Sequence, residues 1–441
     1  MGPHETTDAT LRAPLTFGQR SVWRSVEHLP PDTTEANIGQ AWDLPEGTAV
    51  AAVGRALDVL EARHEALRTT FTFAGTDCVE QVVRPPTGVD VPVVEPDEPD
   101  EGAGDATARV TARGFALDRE PAWRVELVAR DGRAVRLLVC VHHMVADATA
   151  LQILHDELLL LLTGSGTPDD DPPTGREVAI EQGEGAWDAR TRAAVDYWRR
   201  SVADGPPGEQ APDPATEVLW ADLYSVPALD AARRLADALG VSLQVVVFAA
   251  FCRAVALRDG RPDLVVGLVA GNRTDARSRR LVASEVQLVP IRVRVEPEGT
   301  FAELAQQLQW ATLRAYRQGS FDVDALRDLH GEHGYDAAGA GFRYFFNFSE
   351  AFQQRAPEDA RLGADGWRID TQTTGRDNGF TVYFAATAGA LLRCRFRERS
   401  DEPRSPAAAE RLAGRTRALL LTFQDILRQE AAPTAAGGGA G

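Results

Sequence analysis

The sequence predicts an α/β protein with two domains. The chain has 441 residues, more than a single hydrophobic core usually accommodates. A dense apolar run at residues 137–141 ends in two histidines and passes directly into a segment with helical spacing of leucines. The second half repeats this alternation, with a helical segment at residues 242–257 and a buried strand at residues 264–269. Strands that alternate with helices in both halves indicate two α/β domains of similar size.

The other elements of the first half follow from local patterns. Residues 50–67 form an amphipathic helix, because four apolar side chains recur on one face: Val53, Leu57, Leu60 and Leu67. Residues 95–105 are acidic and rich in proline, which predicts a surface loop. Residues 164–173 break all periodicity and form the predicted linker. We therefore expect an N-terminal lobe at residues 12–175 and a C-terminal lobe at residues 176–431.

The second half adds a flexible loop, helices and strands. The loop is predicted at residues 205–214, and an amphipathic helix at residues 301–316 has an apolar face of Phe301, Leu304, Leu308 and Leu313. Strands are predicted at residues 343–348, 380–386 and 391–396, the last two joined by the hairpin turn Thr387-Ala388-Gly389. A final helix carries Leu412, Leu419, Phe423 and Ile426, and residues 432–441 form a low-complexity tail that we expect to be disordered.

Composition excludes several classes of protein. Hydrophobic residues make up 44% and charged residues 25% of the chain, as in ordinary globular proteins. The net charge of −18 argues against a nucleic-acid partner, because phosphate contacts need a basic surface. No apolar run reaches the roughly 18 residues that a membrane span needs, and the N-terminus lacks a signal-peptide core. The chain contains no lysine, which excludes a lysine base, nucleophile or Schiff base.

The four cysteines predict buried free thiols. They are widely separated and mostly lie in apolar stretches: Cys78, Cys140, Cys252 and Cys394. Such usage is typical of a reducing compartment and not of a disulfide framework or a zinc site. We therefore expect a cytoplasmic protein without a structural metal.

The strongest functional signal is the pair His142-His143. The pair closes the apolar run, and Asp147 follows just before a helical pattern. A strand that turns straight into a helix presents its last side chains at a sheet edge, where free helix N–H groups can meet a developing negative charge. The alternative is two hydrogen-bonded histidines that merely close a strand. A metal site is disfavoured, because the only nearby third ligand, His155, lies well along the helix.

Seven motifs in this order resemble the condensation domains of nonribosomal peptide synthetases, in the chloramphenicol-acetyltransferase-like acyltransferase superfamily. They run from residue 14 to residue 347: P-L-T-F-G-Q at 14–19 with Trp23, R-H-E-A-L-R-T-T-F at 63–71, H-H-M-V-A-D at 142–147, Tyr197-Trp198, G-L-V-A-G-N-R at 267–273, P-I-R at 290–292 and Phe346-Asn347. A single such motif is weak, whereas seven in order are specific.

The resemblance implies a fold and an activity. The fold is a pseudo-dimer of two chloramphenicol-acetyltransferase-like lobes, with the active site in the cleft between them. The expected reaction is transfer of an acyl thioester from an acyl- or peptidyl-carrier protein to an amine, which forms an amide. The phosphopantetheine arm of the carrier brings the substrate, and no intrinsic cofactor is expected. The chain resembles a free-standing condensation enzyme or one excised from a synthetase.

The resemblance also implies residue roles. His143 is the group that takes the proton of the nucleophile or orients it, since a neutral imidazole is suited to that step. Asp147 holds the loop through an ion pair with Arg273. His142 points to the opposite side of the strand and supports the site. The N–H of Ala148 can steady the oxyanion. The remaining two support residues, which pack at the base of the cleft, are Gln19 and Trp23.

Three departures from the family pattern accompany these matches. Ala148 replaces the usual glycine, residues 283–287 read A-S-E-V-Q in place of G-F-F-V-N, and residues 317–321 read R-Q-G-S-F in place of H-Q-D-x-P-F. Three other functions therefore stay open: ester formation on a hydroxyl acceptor, an epimerisation-type domain, and a non-catalytic domain that recruits a carrier or partner. The segment after Asp147 lacks the G-x-S-W expected for epimerisation.

Overall fold

The computed structural model describes residues 10–30, 32–75, 77–95, 103–167, 170–209, 216–349, 362–374 and 382–431. The predicted tail at 432–441 lies outside these residues. Parts of the loops predicted at 95–105, 164–173 and 205–214, and the first two residues of the strand predicted at 380–386, also lie outside them.

The chain divides into two compact units. The first comprises Met1–Thr191, Gly271–Gln287 and Ser320–Val323, and the second Arg192–Ala270, Leu288–Gly319 and Asp324–Gly441. The first unit therefore contains the His142-His143 pair and also the later segment Gly271–Gln287.

The first unit contains two sheets. One has three strands in the order β1 (Leu11–Pro14), β4 (Asp77–Val83), β3 (Thr69–Ala74). The other has four, in the order β2 (Asn37–Asp43), β7 (Arg133–His142), β6 (Trp123–Arg130), β5 (Val93–Val94). Strand β7 pairs antiparallel with β2 and β6, and its residues 137–141 are buried, which confirms the predicted buried strand.

The described residues up to 203 contain six α-helices: α1 (Phe17–Val26), α2 (Val50–Arg63), α3 (Ala103–Thr111), α4 (Ala148–Leu162), α5 (Gly175–Gln182) and α6 (Gly185–Ala203). The first five lie in the first unit, and α6 runs from the first unit into the second. A capping box starts α1, because Thr16 accepts from the backbone of Gln19 and Gln19 bonds back to Thr16. Asp147 caps α4 by accepting from the backbone N–H of Ala150.

The second unit is built on a seven-stranded mixed sheet. Its order is β10 (Gln287–Arg294), β9 (Asp263–Ala270), β11 (Tyr344–Ser349), β13 (Val382–Ala388), β14 (Leu392–Pro403), β8 (Thr216–Ser225), β12 (Trp367–Thr374). Its further helices are α7 (Val226–Leu239), α8 (Leu243–Asp259), α9 (Phe301–Tyr316), α10 (Arg327–His333) and α11 (Pro406–Glu430).

Helix signals in the sequence explain where these helices begin and end. Ser242 caps α8, and Gly260 ends it with φ 63° in the left-handed region. Thr300 and Glu303 form a capping box at the start of α9. The predictions for the helices at 242–257 and 301–316 and for the strand at 264–269 are therefore confirmed.

Buried aromatic rings form the centre of the second unit. The rings of Phe346 on β11 and Phe384 on β13 are stacked 5.7 Å apart, and Phe423 on α11 packs 5.4 Å from Phe384. Strands β13 and β14 pair antiparallel, so the predicted hairpin is confirmed. Its turn, however, lies at residues 389–391 and not at 387–389, because Thr387 and Ala388 pair with Arg393 and Leu392. The four apolar side chains predicted for the last helix are all buried.

Three further predictions about elements of the fold were wrong in part. The helix at 50–67 ends at Arg63, because His64 is extended and its buried ring contacts Glu157 at 2.9 Å; a 3-10 helix, Glu65–Arg68, follows. Leu313 is 43% exposed and lies off the apolar face of α9. Residues 103–105 belong to helix α3 and not to a loop.

Among the residues that the structure describes, no single helix is long and apolar enough to cross a membrane, although the bent pair α7 and α8 passes by length and composition alone.

The four cysteines are buried and free, as predicted.

Candidate active site

The candidate site is the junction where β7 passes into α4. The strand ends at His142 and the helix begins at Ala148, so five residues form the connection. Two backbone hydrogen bonds anchor its start, from His142 N–H to Ala122 O at 2.8 Å and from His143 N–H to Ala36 O at 2.7 Å. The histidine pair is therefore fixed by both neighbouring chain segments.

His142 is a buried, neutral histidine. Its Nδ1 accepts a hydrogen bond from Met144 N–H at 3.3 Å, and its ring meets Phe115 edge-on at 6.2 Å. Burial, with a smaller effect of His143, lowers the pKa of His142 to about 3. These contacts stabilise the turn. A catalytic role for His142 stays a prediction.

His143 is only partly buried and keeps some accessible surface. Burial lowers the pKa of the imidazole from its ordinary value of 6.5, and the negative charge of Asp147 opposes that shift. The ring is therefore neutral near pH 7, the form that can accept a proton. Its Nδ1 lies 3.4 Å from the hydroxyl oxygen of Ser284.

Asp147 is the anchor of the junction. Its Oδ1 accepts from Ala150 N–H at 2.9 Å and thereby caps α4, while its Oδ2 accepts from Glu285 N–H at 3.0 Å. Arg273 donates from Nη2 to both carboxylate oxygens at 2.8 Å. The side chains of both partners are buried, with 2% of Asp147 and 8% of Arg273 exposed.

Arg273 ties its own segment to that anchor. Besides Asp147, its guanidinium donates to the carbonyl oxygens of Ser278, Leu281 and Ala283. The ion pair that the family resemblance implied is thus present. Because Nη2 contacts both carboxylate oxygens, the pair restricts the separation of residues 147 and 273, which are 126 positions apart.

Ala148 occupies the first position of α4 and is partly exposed. Only Asp131 and Asn272 have positive φ among the described non-glycine residues, so Ala148 adopts the backbone of an ordinary residue. Replacement of the family glycine therefore brings no backbone strain. Helix geometry leaves the first N–H groups without intrahelical partners, among them that of Ala148. The role of this N–H towards an oxyanion stays a prediction.

Gln19 and Trp23 support α1 and not the histidine loop. Gln19 is buried, completes the capping box with Thr16 and lies 3.4 Å from Gln81 of β4. The ring of Trp23 packs against Phe73 at 5.3 Å. A substrate role for either residue stays a prediction.

Three further residues at the site were missed from the sequence. Ser284 is fully buried beside His143, and Glu285 is 7% exposed beside Asp147. Gly18 of α1 packs so tightly on this segment that a Cβ atom there would lie 2.1 Å from Ser284 O. In the sequence, Ser284 and Glu285 stood out only as part of the departure at residues 283–287, and Gly18 only as part of the motif at residues 14–19.

Among the residues that the structure describes, no group of three or more His, Cys, Asp or Glu side chains could hold a metal ion.

The comparison with protein families identifies the chain. The family model described as the Condensation domain matches residues 11–397. The chain belongs to the condensation-domain family. Condensation domains are acyltransferases of nonribosomal peptide synthesis, and the predicted family is confirmed.

Curated relatives of this condensation domain are large synthetases. The chain is 27% identical over 316 residues to cyclosporin synthetase simA of Tolypocladium inflatum, a match that covers 69% of the chain and 2% of the relative. It is also 26% identical over 337 residues to phosphinothricin tripeptide synthetase PhsC of Streptomyces viridochromogenes, which covers 71% of the chain and 30% of the relative. The domain thus spans only a small part of these relatives.

Solved structures confirm the fold class. The condensation domain that mediates chain release from the enacyloxin polyketide synthase has a TM-score of 0.77 at 20% identity, covering 97% of this chain and 84% of that one. SgcC5 from Streptomyces globisporus has a TM-score of 0.74 at 20% identity, covering 96% of this chain and 100% of that one. The fold is therefore the predicted α/β fold of the chloramphenicol-acetyltransferase-like type. The position of His143 in a cleft between two lobes stays a prediction.

Proposed function

We propose that this condensation domain transfers an acyl group from a carrier-bound thioester to an amine and forms an amide. The observation that carries the proposal is the position of His143, a partly exposed residue at the junction of β7 and α4 whose Nδ1 lies 3.4 Å from the hydroxyl of Ser284. The buried Asp147–Arg273 pair fixes that junction. We keep residues 12–175 and 176–431 as the proposed bounds of the two lobes.

The proposed chemistry moves one proton through His143. The amine nitrogen attacks the thioester carbonyl carbon, the new C–N bond forms, and the carbonyl oxygen becomes an oxyanion. Nδ1 faces Ser284, and we propose that Nε2 of His143 takes the proton from the nitrogen. The C–S bond then breaks, and the leaving thiolate takes that proton. A positioned base of this kind contributes about 10²–10⁴ in rate.

The backbone of Ala148 supplies the second proposed interaction. Its N–H begins α4, so the unpaired amide and the positive end of the helix favour the negative charge on the carbonyl oxygen. Asp147 is proposed to act through this geometry, because it caps the same helix turn and does not itself exchange a proton.

The proposed partner is an acyl- or peptidyl-carrier protein whose phosphopantetheine arm carries the acyl group. Membership in the condensation-domain family supports this proposal, as does the likeness to peptide synthetases. The arm is part of the substrate, and the proposed reaction uses no group resident in the domain. A cytoplasmic location is proposed with it.

A hydroxyl acceptor is the second candidate. SgcC5, which shares the fold, was crystallised with (R)-(−)-1-(2-naphthyl)-1,2-ethanediol, a molecule with two hydroxyl groups. The imidazole of His143 could take a proton from a hydroxyl as it does from an amine, and an ester would form.

The experiment is a product screen with acyl-loaded carrier proteins. The domain is incubated with a panel of acyl carriers and matched amine and alcohol acceptors, and products are identified by mass spectrometry. We expect an amide whose formation is lost in His143→Ala and retained in His28→Ala, a control at an exposed histidine.

Other outcomes separate the alternatives. An ester product would select the hydroxyl acceptor. Deuterium exchange at the α-carbon of a carrier-bound aminoacyl group would indicate epimerisation. Carrier binding without any turnover, unchanged in His143→Ala, would contradict the catalytic proposal and favour a recruiting domain.

A further inference from the structure

The carboxyl group of Glu285 lacks a hydrogen-bond partner that its burial calls for. Only 7% of the residue is exposed, and its Oε1 has no partner among the described residues. A buried polar atom that stays unpaired costs about 1–3 kcal/mol, and more for a charged group. Nearby Asp147, in contrast, has its carboxylate fully engaged. The state of Glu285 therefore needs an explanation.

The backbone holds Glu285 in place on both sides. Its N–H donates to Asp147 Oδ2 at 3.0 Å, and its carbonyl accepts from Asn272 Nδ2 at 2.7 Å. On a third side, a Cβ atom at Gly18 would lie 2.9 Å from the Glu285 Cα. Because the main chain is fixed, the carboxyl group cannot leave the neighbourhood of Asp147 and Arg273 by a simple shift of the loop.

Arg273 is the cation next to two carboxyl groups, those of Asp147 and Glu285. The Nη atoms of Arg273 bind Asp147 and three carbonyl oxygens, whereas its buried Nε has no partner among the described residues. With Glu285 protonated, the three side chains sum to zero charge. With Glu285 ionised, they carry one net negative charge in a buried place, which is unfavourable.

The charged side chains of the helix that packs on this segment are already engaged. Helix α1, which packs on residues 284 and 285 through Gly18, carries Arg20 and Arg24. Arg20 pairs with Asp322, and Arg24 pairs with Glu27 and Asp77. His143, which contacts Ser284, is neutral near pH 7. Arg273 is thus the cation that an ionised Glu285 would attract.

We propose that Glu285 is a positioning residue: its protonated form leaves Arg273 bound to Asp147, and its ionised form competes for Arg273 and disorders the His143 junction. The inference rests on the proposed acyl transfer, since it assigns a proton-dependent support to that same site. Glu285 acts through Arg273 and Asp147 and touches no reacting atom.

The electrostatics of the group agree with this role. Burial raises the pKa of Glu285 from 4.5 to about 7, with Arg273 opposing and Asp147 adding to the shift. The protonated form therefore dominates below neutral pH. Activity should rise with pH as His143 loses its proton, below pH 6.5, and then fall above pH 7 as Glu285 ionises.

The test is the pH dependence of kcat/KM for the intact domain with an acyl-loaded carrier and a saturating acceptor. Above about pH 7 the wild-type rate should fall towards tenfold per pH unit. Glu285→Gln, which is isosteric and always neutral, should lose that fall and keep the rise at low pH. Glu285→Leu should behave likewise, and the exposed control Glu184→Gln should match the wild type. A fall of equal size in Glu285→Gln would overturn the proposal.

A second measurement needs no activity and so separates this inference from the proposed function. Between about pH 4.5 and pH 7 the unfolded chain ionises Glu285 while the folded chain keeps it protonated, so stability is lost as pH rises. Relative to Glu285→Gln, the wild-type unfolding constant should rise about tenfold per pH unit in that window and level off above it. If the ratio of the two unfolding constants did not change with pH, Glu285 would not be protonated in the folded domain. An inactive wild type with the expected pH-dependent difference would instead overturn only the proposed function.

Discussion

Removal of the Arg273 guanidinium is the most informative single change to the fold of the site. Arg273→Ala deletes both hydrogen bonds to Asp147 and three to carbonyl oxygens, and leaves a carboxylate that is 2% exposed without its cation. Breaking a buried pair by removing one partner costs about 3–5 kcal/mol. Asp147 keeps the N–H groups of Ala150 and Glu285, so we expect the lower end, about 3 kcal/mol.

Urea unfolding followed by tryptophan fluorescence measures this cost. The matched control is Arg277→Ala, which removes a half-exposed pair with Glu181 and should cost under about 1 kcal/mol. Adding Asp147→Asn to Arg273→Ala should recover part of the loss, because the orphaned charge is then gone while the cap to Ala150 remains possible. If Arg273→Ala cost no more than Arg277→Ala, the pair would not brace the junction.

The remaining predictions concern contacts that the sequence alone did not reveal. Gly18→Ala places a Cβ atom 2.1 Å from Ser284 O and should lower the free energy of unfolding by about 1–3 kcal/mol or more. Gly54→Ala, in open space on α2, should be neutral or stabilising in the same urea unfolding assay. Equal effects of the two changes would contradict the close packing of Gly18. Ser284→Ala removes the hydroxyl beside His143 Nδ1 and should lower kcat with little change in KM, with an unchanged kcat as the contrary result.

Local patterns predicted the elements that carry the site. The apolar run before His142 and the leucine spacing after Ala148 sufficed to place β7 and α4, because both signals lie within one short stretch of chain. The cap that Asp147 forms on α4 is also a local contact, but it was not predicted. The partner of Asp147 was reached through the order of family motifs, since nothing near Asp147 in sequence indicates a residue 126 positions away.

Tertiary contacts decided what the sequence could not. The predicted helix at 50–67 stops at His64 because that ring is buried against Glu157, a residue 93 positions later. The importance of Gly18 depends on residue 284, which sequence spacing does not bring near it. From the sequence, Glu285 was only a departure from the family pattern. That its buried Oε1 lacks a hydrogen-bond partner follows only from its burial and its neighbours in the structure.

The central claim is that the neutral imidazole of His143 takes a proton during acyl transfer. The most direct measurement is the pH–rate profile of single-turnover amide formation, for wild type and His143→Ala. Because burial lowers the pKa of His143 below 6.5, the account predicts a rising limb below pH 6.5 in the wild type. His143→Ala should lose that limb and about 10²–10⁴ in rate. A variant that keeps the wild-type rate and the same limb would contradict the account.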